Sequence, residues 1–294
     1  MSADPNQLGT LLIIGGAGML GTAWRRLAER EGVAFHAPSL EEFDLTTEAP
    51  AEAIASGRFS AVVNCAAWTD VDGAEDHEEQ ATEINGGAVA RLATACAEEK
   101  VPLVHYSTDY VFQGDASEPY ATDHARDPLN AYGRSKAVGE EAIEASGCHH
   151  LTIRTSWLYA PWGKNFVLTM RSLCRSRDEL KVVDDQRGRP TSAEHLAEAS
   201  LALLRADAAA TGQHGLFHVS DGGEPCTWHG FASAINEIAA ESRCTVHPCT
   251  TDEFPRPALR PAYSVMDLDK TESAIGPRPA WRDLLADTLG RVQD

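Results

Sequence analysis

Tyr132 and Lys136 stand four apart in a stretch that reads as a helix from about Asn130 to Ser146, so their side chains share one face. An unperturbed phenol titrates near pH ~10 and is a reluctant proton donor at neutrality; an ammonium alongside favours the phenolate and draws that value down. Any amphipathic helix can carry such a pair on a solvated face, and only the surroundings separate the two readings. Upstream, His105-Tyr106-Ser107-Thr108 closes an apolar stretch that reads as a strand. Ligands of open parallel sheets lie outside the carboxyl ends of the strands, which is where Thr108 falls. Its hydroxyl can hydrogen-bond a carbonyl oxygen beside the tyrosine, or simply cap a turn.

A second element with chemistry in it is Gly15-Gly16-Ala17-Gly18-Met19-Leu20-Gly21, with glycines at 15, 18 and 21 directly between an apolar run and a helical pattern. Glycine there permits a tight turn, lets backbone approach a pyrophosphate and lets the helix pack closely on the strand. The helix N-terminus then offers its N–H groups to the phosphate. A bare strand–helix turn would need fewer of these features, so the context predicts dinucleotide binding. An acidic reader of the ribose 2′-hydroxyl should sit about 20 residues on. That stretch is Phe35-His36-Ala37-Pro38, with neither acid nor arginine, so NADPH and NADH both remain open.

These groups need a scaffold to position them. Leu11-Leu12-Ile13-Ile14 reads as a strand buried on both faces, followed by a helix from about Met19 to Glu31. Further strands are expected at Val33–Ala37, Ala61–Ala67, Leu103–Ser107 and Leu151–Arg154, with one helix of about twenty residues from Glu78 to Glu98. Pro128 precedes the Tyr132 helix and Gly147 stops it. Strands alternating with helices of this length predict an α/β, doubly wound, Rossmann-type parallel sheet. Past Trp157 the rhythm loosens: strands at Lys181–Val183 and Leu216–Val219, a capping-box helix from Thr191 to about Arg205, a helix from Trp228 to Ala240, and an irregular proline-rich loop at 248–263. We therefore expect residues 1–157, with about 191–207, to form a dinucleotide-binding domain. Residues 158–190 and 208–294 would form a smaller, interleaved C-terminal substrate lobe.

The 294 residues suffice for a sizeable core. Lys plus Arg number 25 and Asp plus Glu 44, a formal net charge of −19, which argues against nucleic-acid or anionic-membrane partners. The seven cysteines are odd in number and include no C-x-x-C pair, which fits free thiols in a reducing cytoplasm. The uncharged stretch 5–24 is broken by glycines, against a membrane span.

The glycine spacing resembles that of short-chain dehydrogenase/reductases. Ser107-Thr108-Asp109-Tyr110-Val111-Phe112 and Pro128-Leu129-Asn130-Ala131-Tyr132-Gly133-Arg134-Ser135-Lys136 resemble, within that superfamily, the extended branch of dTDP-4-dehydrorhamnose reductases. Val63-Asn64-Cys65-Ala66-Ala67-Trp68-Thr69-Asp70-Val71-Asp72, Arg154-Thr155-Ser156-Trp157-Leu158-Tyr159, Asn165-Phe166, Asp185-Gln186-Arg187-Gly188-Arg189-Pro190-Thr191 and Arg260-Pro261-Ala262-Tyr263-Ser264 continue the pattern in family order, covering nearly the whole chain after residue 10.

The resemblance implies NAD(P)H-dependent reduction of a 4-keto-6-deoxysugar nucleotide, with Thr108, Tyr132 and Lys136 as catalytic residues. It implies cofactor contacts from Gly15, Gly18, Met19, Leu20, Gly21, Asp44, Leu45, Ala66, Ala67, Trp68, Thr69 and Tyr106, as well as Tyr132 and Lys136. Thr108, Asp109 and Trp157 would face the sugar nucleotide. Met19 stands where the family often has glutamine, Trp68 where it often has tyrosine or histidine, and Ser39 where an arginine near the adenosine would favour NADPH. Some relatives are described as using magnesium, but no cluster has metal-ligand spacing, so no metal is expected; His149-His150 reads as a surface turn. A homodimer is the default oligomer. Two other readings use the same scaffold. A sugar-nucleotide dehydratase or epimerase is one, although dehydratases have Thr-Asp-Glu where this chain has Thr108-Asp109-Tyr110. A regulatory subunit without turnover, like that of methionine adenosyltransferase, is the other; Thr108 and the intact Trp157 segment favour the reductase.

Overall fold

The computed structural model describes residues 8–208, 214–239 and 244–292. Leu11–Ile14 has no polar side chain and forms strand β1 with every residue buried. β2 (Phe35–His36), β3 (Ala61–Asn64), β4 (Leu103–Thr108) and β5 (His150–Thr155) follow along the chain. A sixth strand, Gly215–His218, completes a parallel sheet in the order Gly215–His218, β5, β4, β3, β1, β2. The chain turns outward from β1 to β2 and then returns to the other side of β1 for β3. That reversal opens a crevice at the carboxyl ends of β1 and β3, the usual ligand position in such sheets.

Both faces of the sheet are covered. Leu20, Trp24 and Leu27 of the Met19–Glu31 helix pack with Leu196, Ala197 and Leu204 of the Ala193–Ala208 helix on one side. Val89, Leu92 and Cys96 of the Ala88–Glu99 helix pack with Ile54 on the other. At roughly 1.5–3 kcal/mol for each large apolar side chain buried, these two layers supply the main stabilisation of the sheet.

The Glu78–Glu98 stretch is helical but not uniform: Glu78–Thr82 and Ala88–Glu99 flank a π-helical turn at Glu83–Gly87. Asn85-Gly86-Gly87 puts two glycines, poor helix formers, in succession, and the ladder loosens there. The Ala131–Ser146 helix begins and ends as its sequence dictates: Asn130 Oδ1 accepts the Gly133 N–H at 2.8 Å, and Gly147 closes it at φ 68°.

The second lobe packs Tyr159, Val167, Phe231, Ile235, Trp281 and Leu285 between the Phe166–Ser176, Trp228–Ala239 and Trp281–Arg291 helices. Among the described residues its strands form three two-stranded sheets. Two expectations are corrected. The strand at 215–218, assigned to this lobe on sequence, is the edge of the main sheet, because its apolar residues cover the open side of β5. Thr191–Ser192 does not open a capping box. It pairs with Leu158–Tyr159, and Asp221 Oδ2 accepts the Ser192 N–H at 2.8 Å just before the Ala193–Ala208 helix. The 248–263 loop is entered from a strand, Thr245–Cys249, that runs parallel to Glu179–Val183. Among the described residues no helix is long and apolar enough to cross a membrane, and the seven cysteines are free thiols.

Candidate active site

The glycine turn leaves β1 with Gly15 at φ 75°, and a Cβ on Gly15 would lie 2.6 Å from the Ala66 nitrogen. A Cβ on Gly21 would lie 2.2 Å from the Gly15 carbonyl oxygen, so neither position admits a side chain. Gly18 sits at the N-cap of the Met19–Glu31 helix without a side-chain cap, which leaves the first N–H groups of that helix for a ligand. This cradle fits a dinucleotide pyrophosphate.

Beyond that contact, hydrogen bonds tie the 64–68 segment to the Ala131–Ser146 helix. Asn64 Oδ1 accepts the Ala66 N–H at 3.1 Å. Asn85, in the π turn, accepts the Trp68 N–H at 3.0 Å and donates to the Trp68 carbonyl at 3.1 Å and to Ser135 Oγ at 2.9 Å. Ser135 Oγ in turn donates to the Tyr132 carbonyl at 2.7 Å. Buried Asn85 thus ties the 66–69 loop to the helix bearing Tyr132 and Lys136. Sequence reasoning missed it. The signal was an Asn-Gly-Gly run inside a long helical pattern.

The expected residues take distinct places. Thr108 ends β4, and its hydroxyl lies against the Tyr132 phenol while donating to Asp109 Oδ1 at 3.0 Å. That proton must swing away from Asp109 before Thr108 can donate to a ligand. Lys136 Nζ donates to the Tyr106 carbonyl at 2.9 Å. The Tyr106 ring points the other way, accepting from Trp24 Nε1 at 2.7 Å and donating to Ser200 Oγ at 2.8 Å, so its backbone is what reaches the site. The Leu20 and Leu45 side chains are core. Asp44 is exposed and accepts both the N–H and the hydroxyl of Thr46, at 2.9 and 2.8 Å. The Met19 carbonyl accepts from Trp162 Nε1 at 3.2 Å. Ala67 and Thr69 lie in the segment that Asn85 grips at Trp68.

Trp157 has φ 48°, an unusual conformation for a bulky residue and a sign of imposed strain. Its ring stacks on Trp228 with centroids 3.7 Å apart, and a Cβ on Gly188 would strike it. Trp157 is therefore part of the lobe's aromatic packing.

Electrostatics separate the titrating groups. Burial, with the Asp109 charge adding to it, pushes the Tyr132 phenol up; the Thr108 hydroxyl opposes this weakly. The expected lowering by Lys136 is absent in this geometry, because the ammonium is held at the Tyr106 carbonyl. Burial draws Lys136 itself down to about 8, against the opposing charge of Glu140 one helical turn along. Glu140, fully enclosed, receives a two-pronged ion pair from buried Arg154 at 2.9 and 2.6 Å and a further contact from Arg126 at 3.1 Å. Burial pushes Asp109 up to about 6, with Ser264 and Thr108 opposing. From the far loop, Arg260 bonds to Asp72 at 2.5 Å, and Asn130 Nδ2 donates to the Leu259 carbonyl at 2.7 Å. These contacts tie the 258–260 segment to Asp72 and to the start of the Ala131–Ser146 helix.

The model of the RmlD substrate binding domain matches residues 9–293. The chain belongs to the dTDP-4-dehydrorhamnose reductase family. It is 38% identical over 281 residues to dTDP-4-dehydrorhamnose reductase of Streptomyces griseus, covering 95% of this chain and 92% of that relative. It is 41% identical over 283 residues to a probable dTDP-4,6-dihydroxy-2-methyloxan-3-one 4-ketoreductase of Streptomyces antibioticus, covering 95% and 94%. The crystal structure of dTDP-4-dehydrorhamnose reductase from Bacillus anthracis in complex with NADP superposes with a TM-score of 0.88 at 32% identity, over 96% of this chain and 98% of that one. The fold and recognition expectations stand.

Proposed function

We propose that the chain reduces the 4-keto group of dTDP-4-dehydro-L-rhamnose, or a close 4-keto-6-deoxysugar nucleotide, to give dTDP-L-rhamnose or its counterpart, in deoxysugar and cell-surface polysaccharide biosynthesis in the cytoplasm. The observation that supports this reading is the Thr108 hydroxyl against the Tyr132 phenol at the end of β4, with Lys136 of the same helix at the Tyr106 carbonyl and a glycine cradle after β1.

The nicotinamide cofactor, NADPH or NADH, supplies hydride to the keto carbon when bound. Gly15, Gly18 and Gly21 would hold its pyrophosphate, the Ala66–Thr69 segment would line its ribose side, and Lys136 would fix the nicotinamide ribose. Tyr132 protonates the substrate oxygen as alkoxide character develops. Burial keeps the phenol protonated at neutral pH, the form that can give a proton to the substrate oxygen. Thr108 swings its hydroxyl from Asp109 to the substrate oxygen, and Asp109 and Trp157 bound the sugar. Residues 158–190 together with the chain after the edge strand would form the substrate lobe. The dehydratase reading lacks a carboxylate at the third position of the motif: Tyr110 is there, its ring edge-on to Tyr132 at 6.0 Å.

The test is nicotinamide oxidation with dTDP-4-keto-6-deoxy-L-mannose, run in parallel with NADPH and NADH. Turnover is expected, and Tyr132→Phe should reduce it by about 10²–10⁴-fold while cofactor binding persists. Cofactor binding with no turnover on any ketosugar nucleotide would favour the regulatory reading. Formation of a 4-keto product from dTDP-glucose alone would favour the dehydratase.

A further inference from the structure

We propose that His149, Asp207 and His214 form a binding site for a divalent transition-metal ion, Zn²⁺ by its chemistry, at the end of the sheet remote from the catalytic residues. His149 immediately precedes β5 and His214 immediately precedes the Gly215–His218 strand. Those strands run parallel with Leu151 opposite Gly215, which puts both histidines on one rim, with ring centroids 4.7 Å apart. Asp207, in the last turn of the Ala193–Ala208 helix, lies between them. One of its oxygens is 2.5 Å from His149 Nε2 and the other 3.8 Å from His214 Nδ1. A donor atom from each residue lies within 4.8 Å of the other two.

The burial is asymmetric. The Asp207 side chain is 6% exposed, whereas those of His149 and His214 are 44% and 53% exposed. The carboxylate is anchored while the imidazoles face solvent, so an ion can enter and water can complete its shell. Bonds of about 2.0–2.2 Å to His nitrogen and Asp oxygen would draw together donor atoms that already lie within 4.8 Å of one another. Two imidazoles and a carboxylate suit Zn²⁺, Cu²⁺ or Ni²⁺, whereas Mg²⁺ prefers oxygen alone. Neighbouring groups are already engaged: His150 Nδ1 with Thr152 Oγ1 at 2.9 Å, and Lys270 Nζ with the Leu216 carbonyl at 2.8 Å. His149 lies 58 residues before Asp207, so spacing along the chain could not bring the set together.

Because Thr108 and Thr155 mark the opposite ends of the strands, a metal here would pin the edge strand and the helix end rather than enter the reaction. The experiment uses the full chain, freed of metal by chelator, titrated calorimetrically with Zn²⁺ and spectroscopically with Co²⁺. One ion per chain is expected, with a Co²⁺ d–d band free of thiolate charge transfer and a metal-dependent rise in Tm. His149→Ala and His214→Ala should each weaken binding at least about tenfold and remove the Tm rise. His247→Ala, at an exposed histidine beside Glu179 in the other lobe, should change neither. The proposal is overturned if binding survives in the His149→Ala/His214→Ala double variant. Absence of saturable binding in the micromolar range would overturn it too, leaving the cluster a hydrogen-bonded carboxylate. Reductase turnover is expected to be the same in all these variants, so its outcome is independent of the metal result.

Discussion

In the proposed reduction Tyr132 gives a proton to the substrate oxygen, and its surroundings keep that proton on the phenol at neutral pH. Burial and the Asp109 charge both disfavour the phenolate. The titrating partner is Lys136, whose ammonium is held down to about 8 by burial. The lysine is charged below that value and neutral above it, so kcat/KM should fall as pH rises through about 8. Lys136→Met should be slow and lose that limb; a pH–rate profile of the two proteins checks this. Thr108→Ala removes one donor aimed at the developing charge and should lower kcat about 10²–10³-fold, roughly 2.7–4 kcal/mol, with a smaller effect on substrate binding. At this scale the sequence was informative about identity and poor about environment. The Tyr132–Lys136 spacing put both residues on one face, but nothing local showed that the Tyr106 carbonyl would engage the ammonium, or that Asp109 would hold the Thr108 proton.

Among the elements, the π turn at Glu83–Gly87 has the largest consequence for the site. A regular helix would rotate Asn85 away from the 66–69 loop. The widened turn lets one amide hold Trp68 by both backbone groups while reaching Ser135. The fit is close: a Cβ on Gly139 would lie 2.2 Å from the Asn85 carbonyl oxygen. Asn85→Ala removes three hydrogen bonds and leaves the half-buried Trp68 backbone groups without protein partners, at up to about 1–3 kcal/mol each where no water replaces them. We expect a lower urea midpoint and a raised KM for cofactor with kcat less affected, measured by chemical denaturation and steady-state kinetics. The stretch was readable as one long helix and Asn85-Gly86-Gly87 as its weak point, but nothing local showed that the turn would widen against the Ala131–Ser146 helix. The cap of the Ala193–Ala208 helix was misread for a similar reason. Its true acceptor, Asp221, is remote in sequence.

The whole molecule carries a formal charge of −19. Self-repulsion of that size is long-ranged and weakens as salt shortens the screening length from about 30 Å at 0.01 M to about 8 Å at 0.15 M. Exposed ion pairs such as Arg134–Glu78 lose strength at the same time, but each is worth only about 0–1 kcal/mol. Tm should therefore rise between those two ionic strengths, and a scanning measurement that found it flat or falling would contradict this. The alternation of strands and helices made the parallel sheet legible from residue 11 to Thr155, whereas the edge strand was not, because no local pattern says which of two lobes a short apolar run will join. That placement has a bearing on biosynthesis. Synthesis proceeds from the N-terminus, and β5 keeps an unpaired edge until Gly215–His218 has left the ribosome. By then the intervening residues of the other lobe are already outside. A nascent chain stalled before residue 215 would expose a sticky flank. A fragment ending at Trp157 should therefore aggregate rather than behave as a separable nucleotide-binding unit.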